Sequence, residues 1–190
     1  MKEIAHQWLK RIEQEIDAFK RMSCSELTVF LGEKWEETPE WDRQYLTALL
    51  VQKGCQGGIP FLLRQLESPD SASRRQALWG LENLDYRENR QLLINIHLKD
   101  PDEEVRATAL ISLSTLFRNK RDTEIVRLAL AAFDDPASSV PMRLTAGAAL
   151  VYQLDTPDEL GVLPWWNEEE TDLQHPALQW AVLETRRLLT

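Results

Sequence analysis

Apolar side chains recur three or four positions apart along most of this chain, the spacing that gathers them on one stripe of a helix. Ile4, Trp8, Ile12, Ile16 and Phe19 predict an amphipathic helix over residues 3–22. Ser25, Leu27, Phe30 and Leu31 predict a shorter second helix that ends before Pro39. Beyond Pro39 the pattern falls into helical pairs: 40–53 with 58–67, 70–84 with 88–98, and 102–118 with 122–133. A further helix runs from about 138 to Leu154, a short irregular segment resumes near Pro157, and a last helix covers 176–188. Gly54, Gly57 and Gly58 suit a tight turn between the members of the first pair. Pro69, Pro101 and Pro136 stand where helices are expected to begin, where a missing N–H costs nothing. Asp70 and Asp102 add negative charge at the positive end of the helix dipole.

The pattern also repeats at longer range. The string from Asp100 to Leu113 recurs at a spacing of 32 to 37 residues. Arg74, Ala77, Leu78 and Leu81 match Arg106, Ala109, Leu110 and Leu113, and Arg143, Ala146 and Leu150 take the same places downstream. Glu40, Arg43, Leu46 and Leu49 keep the register with a weaker match. Such periods signal stacked units, none of which buries its apolar face alone. The alanines fall where adjacent helices must approach closely, and the leucines fill the core beside them. The recurring arginine is expected to bridge carboxylates or carbonyl groups between neighbouring repeats. The two N-terminal helices (1–38) are expected to cap a single domain of repeats at 39–188. On the second helices Ile59, Leu62, Leu63 and Leu66 should face inward, leaving Arg64 and Gln65 outward. Gln91 and Asn95 are their counterparts on the next unit, and Glu124 and Arg127 extend the row. Trp8, Trp35, Trp41 and Trp79 fall on apolar faces and are expected to pack between helices.

Composition narrows the function classes. With 43% hydrophobic and 28% charged residues over 190 positions, the chain reads as one folded domain. A net charge of −9 argues against a nucleic-acid-binding surface. No apolar run approaches the roughly 20 residues that span a bilayer, and the first residues lack the apolar stretch of a secretory signal. Cys24 and Cys55 are too few for a disulfide scaffold and read as small buried hydrophobes with reduced thiols, which points to the cytoplasm. His6, His97 and His175 are far apart and lack partner motifs, and there is no phosphate loop or nucleophile elbow. No catalytic residue, metal ligand or cofactor is therefore expected, and His97 reads as a surface or satisfied core histidine.

The string Asp-Pro-Asp-Glu-Glu-Val-Arg-Ala-Thr-Ala-Leu resembles the HEAT-like repeat, in particular the variety found in phycobilin lyases. The resemblance covers about 39–188, and is strongest at 101–113 and moderate at 69–81 and 136–150. It implies an all-α, right-handed α-solenoid of four to five helical pairs, with first helices on the convex side and second helices lining the concave face. The chain departs from the repeat pattern at Val140-Pro141, and again over 157–175, where Pro164 interrupts the expected second helix. Similar repeats occur in alkylpurine DNA glycosylases, which use a basic groove, and in bilin lyases, which handle chromophores.

The most anomalous stretch, 144–185, holds eight acidic residues and neither Lys nor Arg, whereas residues 1–95 carry a net charge of only −2. Tyr152, Trp165, Trp166 and Trp180 lie in this acidic zone. Trp165 and Trp166 beside Glu168, Glu169, Glu170 and Asp172 have the makings of an interaction hot spot, aromatic anchors ringed by charge. The leading expectation is a non-catalytic protein-binding repeat protein with a basic partner, engaged through these residues, through Arg64, Gln65, Gln91, Asn95 and Arg127, or through both. By analogy, such a partner is a toxin domain blocked by an immunity protein or antitoxin; an adaptor or assembly factor is another form. The competing class is a HEAT-like enzyme, similar to the DNA glycosylases or to a bilin lyase subunit. No direct nucleic-acid or membrane partner is expected.

Overall fold

The computed structural model describes residues 16–154, 156, 157, 160 and 173–190. Helical residues 16–21 (α1) lead into α2 (Cys24–Lys34). Four pairs follow: α3 (Glu40–Gln52) with α4 (Ile59–Gln65), α5 (Ser71–Asn83) with α6 (Arg90–Lys99), α7 (Glu103–Leu116) with α8 (Thr123–Asp134), and α9 (Val140–Gln153) with α10 (Pro176–Leu189). No strand occurs among the described residues, and none of the described helices is long and apolar enough to cross a membrane.

The pairs stack as an α-solenoid. The first helices form one continuous layer in the order α3, α5, α7, α9, while each second helix nestles closely against the first helix of the following pair. Ala77, Ala109 and Ala146 are fully buried in the first layer, and Leu78, Leu81, Leu110, Leu113 and Leu150 are buried beside them, as the period predicts. One core cluster shows why no pair stands alone: it joins Leu78 of α5, Leu93 and Ile94 of α6, Ala109 and Leu113 of α7, and Ile125 of α8. A fully buried leucine contributes roughly 1.5–3 kcal/mol, so shared clusters couple each unit to the next. Close approach is helped by Gly147, where an added Cβ would stand 2.6 Å from a methyl of Leu178 on α10.

The helix starts follow a different rule from the one expected of proline. Pro69 and Pro101 precede the caps rather than opening helices, and Pro136 lies further upstream of α9. The caps are acidic or hydroxyl side chains: Asp70 accepts from Ser73 N (2.8 Å), Asp102 from Val105 N (3.1 Å) and Ser139 from Met142 N (3.2 Å). The prolines within first turns are Pro60, Pro141 and Pro176. Pro141 thus explains the irregular Val-Pro: it fits the first turn of α9 without costing a hydrogen bond.

The recurring arginines reach back over the turns that precede their helices. Arg74 donates to the carbonyls of Ser68 (2.9 Å) and Pro69 (3.1 Å), Arg106 to those of Asp100 (2.9 Å) and Pro101 (3.3 Å), and Arg143 to that of Phe133 (2.8 Å). Arg74 also forms a two-pronged pair with Asp100, the residue that opens the next repeat (2.8 and 2.9 Å). Its pKa is raised further by the Asp100 hydrogen bond. The expected bridging role therefore holds at Arg74 and, through the Phe133 carbonyl of α8, at Arg143, while Arg106 pins the turn before its own helix.

Two expectations are corrected. Cys24 and Cys55 are joined by a disulfide, with Cα atoms 5.5 Å apart, tying the start of α2 to the turn before α4. The expectation of reduced thiols fails because the fold brings residues 31 apart in sequence side by side, and the cytoplasmic expectation loses that ground. Trp41 and Trp79 do not pack between helices; they are 58% and 52% exposed, while Trp35 is buried as expected. Trp79 follows Leu78 directly, so the helical turn of about 100° per residue swings it off the stripe formed by Ala77, Leu78 and Leu81. Trp8 lies outside the described residues.

Candidate functional site

The described surface includes two concavities with defined linings. The larger crosses the layer of first helices, as a groove of about 440 Å3 spanning α5, α7 and α9. Its floor is built from Ala107, Thr108 and Ile111, on the outward side of α7. Trp79 of α5 rises on one side, and Pro141 and Met142 of α9 on the other. The depression exists because α7 presents small side chains between bulkier neighbours. Its rim holds Arg75, Glu103 and Glu104. Arg75 pairs with Glu104 across the helices. Glu103 accepts from Ser139 N (3.2 Å), and hydrogen bonds from Ser139 hold its carboxyl below the ordinary carboxylate range. Two glutamates thus share the lining with one guanidinium, leaving an acidic rim around an apolar floor and an indole with half its surface in water.

The second concavity is polar, about 290 Å3, and lies between the end of α2 and the α3–α4 pair, beside Trp35, Arg43, Arg64 and Ser68. Trp35 stacks on Phe61 with centroids 5.4 Å apart. The guanidinium groups of Arg43 and Arg64 lie 5.2 and 4.9 Å from the Trp35 ring centroid. Arg64 also pairs with Glu36. Glu40 accepts from the hydroxyls of Ser68 and Ser73, which lower its pKa. Arg43 Nε is buried and has no hydrogen-bond acceptor.

The structure brings together only part of the expected site. Arg64 and Gln65 both line the polar pocket. Arg64 is exposed, but Gln65 is buried, contrary to its expected outward position. Its amide is used internally: Thr47 donates to Gln65 Oε1 (2.8 Å), and Gln65 Nε2 donates to the Ser73 carbonyl (3.0 Å). A buried amide needs such partners, and Ser73 supplies one across the inter-helix turn. Gln91, Asn95 and Arg127 are exposed on α6 and α8 and line neither concavity. Glu124 is paired with Arg90 (2.6 Å). Trp165, Trp166, Glu168, Glu169, Glu170 and Asp172 lie outside the described residues. Of the other aromatics in the acidic zone, Trp180 packs half-buried against the last core cluster, and Tyr152 lies under Arg118 (4.3 Å).

His97 is buried, its Nδ1 3.0 Å from the Arg106 carbonyl. Among the described residues no group of three His, Cys, Asp or Glu side chains is placed to hold a metal ion. The groove with Trp79 is the feature that sequence reasoning missed. Its signal was present: an indole one position off the leucine stripe, opposite Ala107 and Thr108 on the next repeat.

A family model described as HEAT repeats matches the chain at residues 36–114 and again at 59–146. No curated protein and no solved structure matches it.

Proposed function

We propose that this chain, which belongs to the HEAT-repeat family, is a non-catalytic scaffold that binds a basic segment of another protein in the groove over α7. The observation that carries this reading is the half-exposed Trp79 standing beside an apolar floor with Glu103 and Glu104 at its rim. An exposed indole gives an anchor of large area at low entropic cost, and its face accepts an arginine or lysine of the partner. The acidic rim and the chain's net charge of −9 favour basic partners and speed their approach at low salt. Trp165, Trp166, Glu168, Glu169, Glu170 and Asp172 belong to the proposal on sequence grounds, as a second contact for the same basic partner. The exposed Arg64, Gln91, Asn95 and Arg127 enter it only as a polar border. A basic toxin domain neutralised by an immunity protein or antitoxin falls within this partner class, because negative charge can fill a site made for phosphates; an adaptor role for a basic assembly subunit does so equally.

The test places a photo-cross-linker at position 75, next to Trp79, and identifies the proteins captured in native cells at low and moderate salt. The expected product is one protein with a basic surface, captured less at higher salt. Trp79→Ala should weaken the purified complex by at least about 30-fold, the loss of roughly 2 kcal/mol typical of an aromatic hot spot. An acidic partner, or affinity unchanged by Trp79→Ala, would refute the groove. Recovery of nucleic acid or pigment would favour the enzyme class instead.

A further inference from the structure

We propose that Cys24 is a site of reversible thiolation by a small thiol of the glutathione class, with Cys55 as its resolving cysteine. The two sulfurs of the disulfide stand in unlike surroundings. Cys24 is exposed at the first residue of α2, whereas Cys55 is 3% exposed and belongs to a core cluster with Leu27, Leu50 and Phe61. Access decides which sulfur a thiolate attacks, and an exposed disulfide is the exchangeable kind. A small thiol therefore reaches the bond from the Cys24 side, with a second cysteine held in place behind it.

The exchange balances with that thiol alone. Its thiolate attacks Cys24 Sγ, the S–S bond breaks, and Cys55 leaves as a thiolate that takes up a proton. A second small thiolate attacks the outer sulfur of the mixed disulfide, releasing the small disulfide and Cys24 as its thiolate. Run in reverse, the same two steps thiolate Cys24 and then close the bond through Cys55. The fold both permits this closure and makes it consequential. A Cβ at Gly57 would stand 2.8 Å from Thr28 Oγ1, a hydroxyl that donates to the Cys24 carbonyl (2.7 Å). The close approach that sets Cys55 beside α2 thus relies on a residue without a side chain. The helix so tied is thinly packed: the buried residues within α2 are Leu27 and Leu31, against eight within α7. Opening the bond therefore loosens α2 before it loosens the repeats. The site shares no residue with the groove over α7 and does not depend on it.

Oxidised glutathione, added to the reduced full chain and to its cysteine variants, tests the assignment by peptide mass spectrometry after acid quenching. Cys55→Ser should retain glutathione on Cys24, because nothing resolves it, and Cys24→Ser should stay unmodified at Cys55. The wild type should pass through the Cys24 adduct to the internal disulfide, and excess reduced glutathione should reopen that bond within hours. Amide exchange in α2 should quicken at least about tenfold on reduction while α7 is unchanged. If Cys55→Ser does not fold, iodoacetamide on the reduced wild type supplies the ordering, alkylating Cys24 at least about tenfold faster than Cys55. Thiolation or alkylation of Cys55 as readily as Cys24 would overturn the proposal. So would a bond that excess reduced glutathione leaves closed, or equal exchange of α2 in both states.

Discussion

His97 shows how a single side chain reports its surroundings. It lies in the core with Nδ1 against the Arg106 carbonyl, so the neutral ring donates that hydrogen bond. Burial lowers its pKa, the carbonyl opposes this, and the nearby Arg106 charge adds to the lowering. A histidine whose folded pKa is depressed binds its proton more readily in the unfolded chain. Its contribution to stability is therefore complete above the unfolded pKa of about 6.5 and is lost as pH falls below that value. Urea unfolding from pH 8 down to 5.5 should show a declining midpoint, and His97→Gln should flatten that slope. The carboxylates with lowered pKa, Asp102 and Glu103 among them, lose their contribution only further down, below about pH 4. The sequence identified His97 as unsuited to catalysis but could not choose between surface and core, because its one hydrogen-bond partner is a backbone carbonyl.

Elements in this fold are placed by what holds their turns. Arg74 binds the turn before α5 through two carbonyls and the turn before α7 through Asp100, so one side chain sets the register of successive repeats. Both members of the pair are nearly buried, at 11% and 8% exposure. Arg74→Ala would leave a buried carboxylate and two carbonyls without their donor. The expected loss is about 3 kcal/mol, measured by denaturant unfolding. Arg74→Lys should recover only part of it, for want of a two-pronged fork. The helices and the bridging arginine were legible in the sequence because both follow from period and spacing. The helix starts were misread by two residues at Pro69 and Pro101 and by four at Pro136: Asp70, Asp102 and Ser139 hold the cap hydrogen bonds, and position alone does not separate a cap from the residues before it. Gln65 was misplaced because its partners, Thr47 and Ser73, come from the two flanking first helices, and sequence shows no such convergence.

At the scale of the whole molecule, stability is a chain of neighbour contacts with one covalent addition. The Cys24–Cys55 bond closes a loop between residues 31 apart and so restricts the unfolded chain. On loop-entropy grounds it contributes about 3–4 kcal/mol. Unfolding with and without a phosphine reductant should differ by that amount; equal curves would mean the pair adds nothing. The exposed position of Cys24 leaves the bond open to reductant. The sequence counted two cysteines and could not see that α2 folds back onto the turn before α4. A nearest-neighbour stack breathes unevenly when only one segment is cross-linked. The α2–α4 region, with the Trp35 pocket, is latched, whereas α9 and α10 are held to their neighbours by side-chain packing and hydrogen bonds. Any opening of α9 would carry away Pro141 and Met142, one bank of the groove over α7. A partner seated there would bridge α5, α7 and α9, so occupancy would tie together units that no disulfide joins.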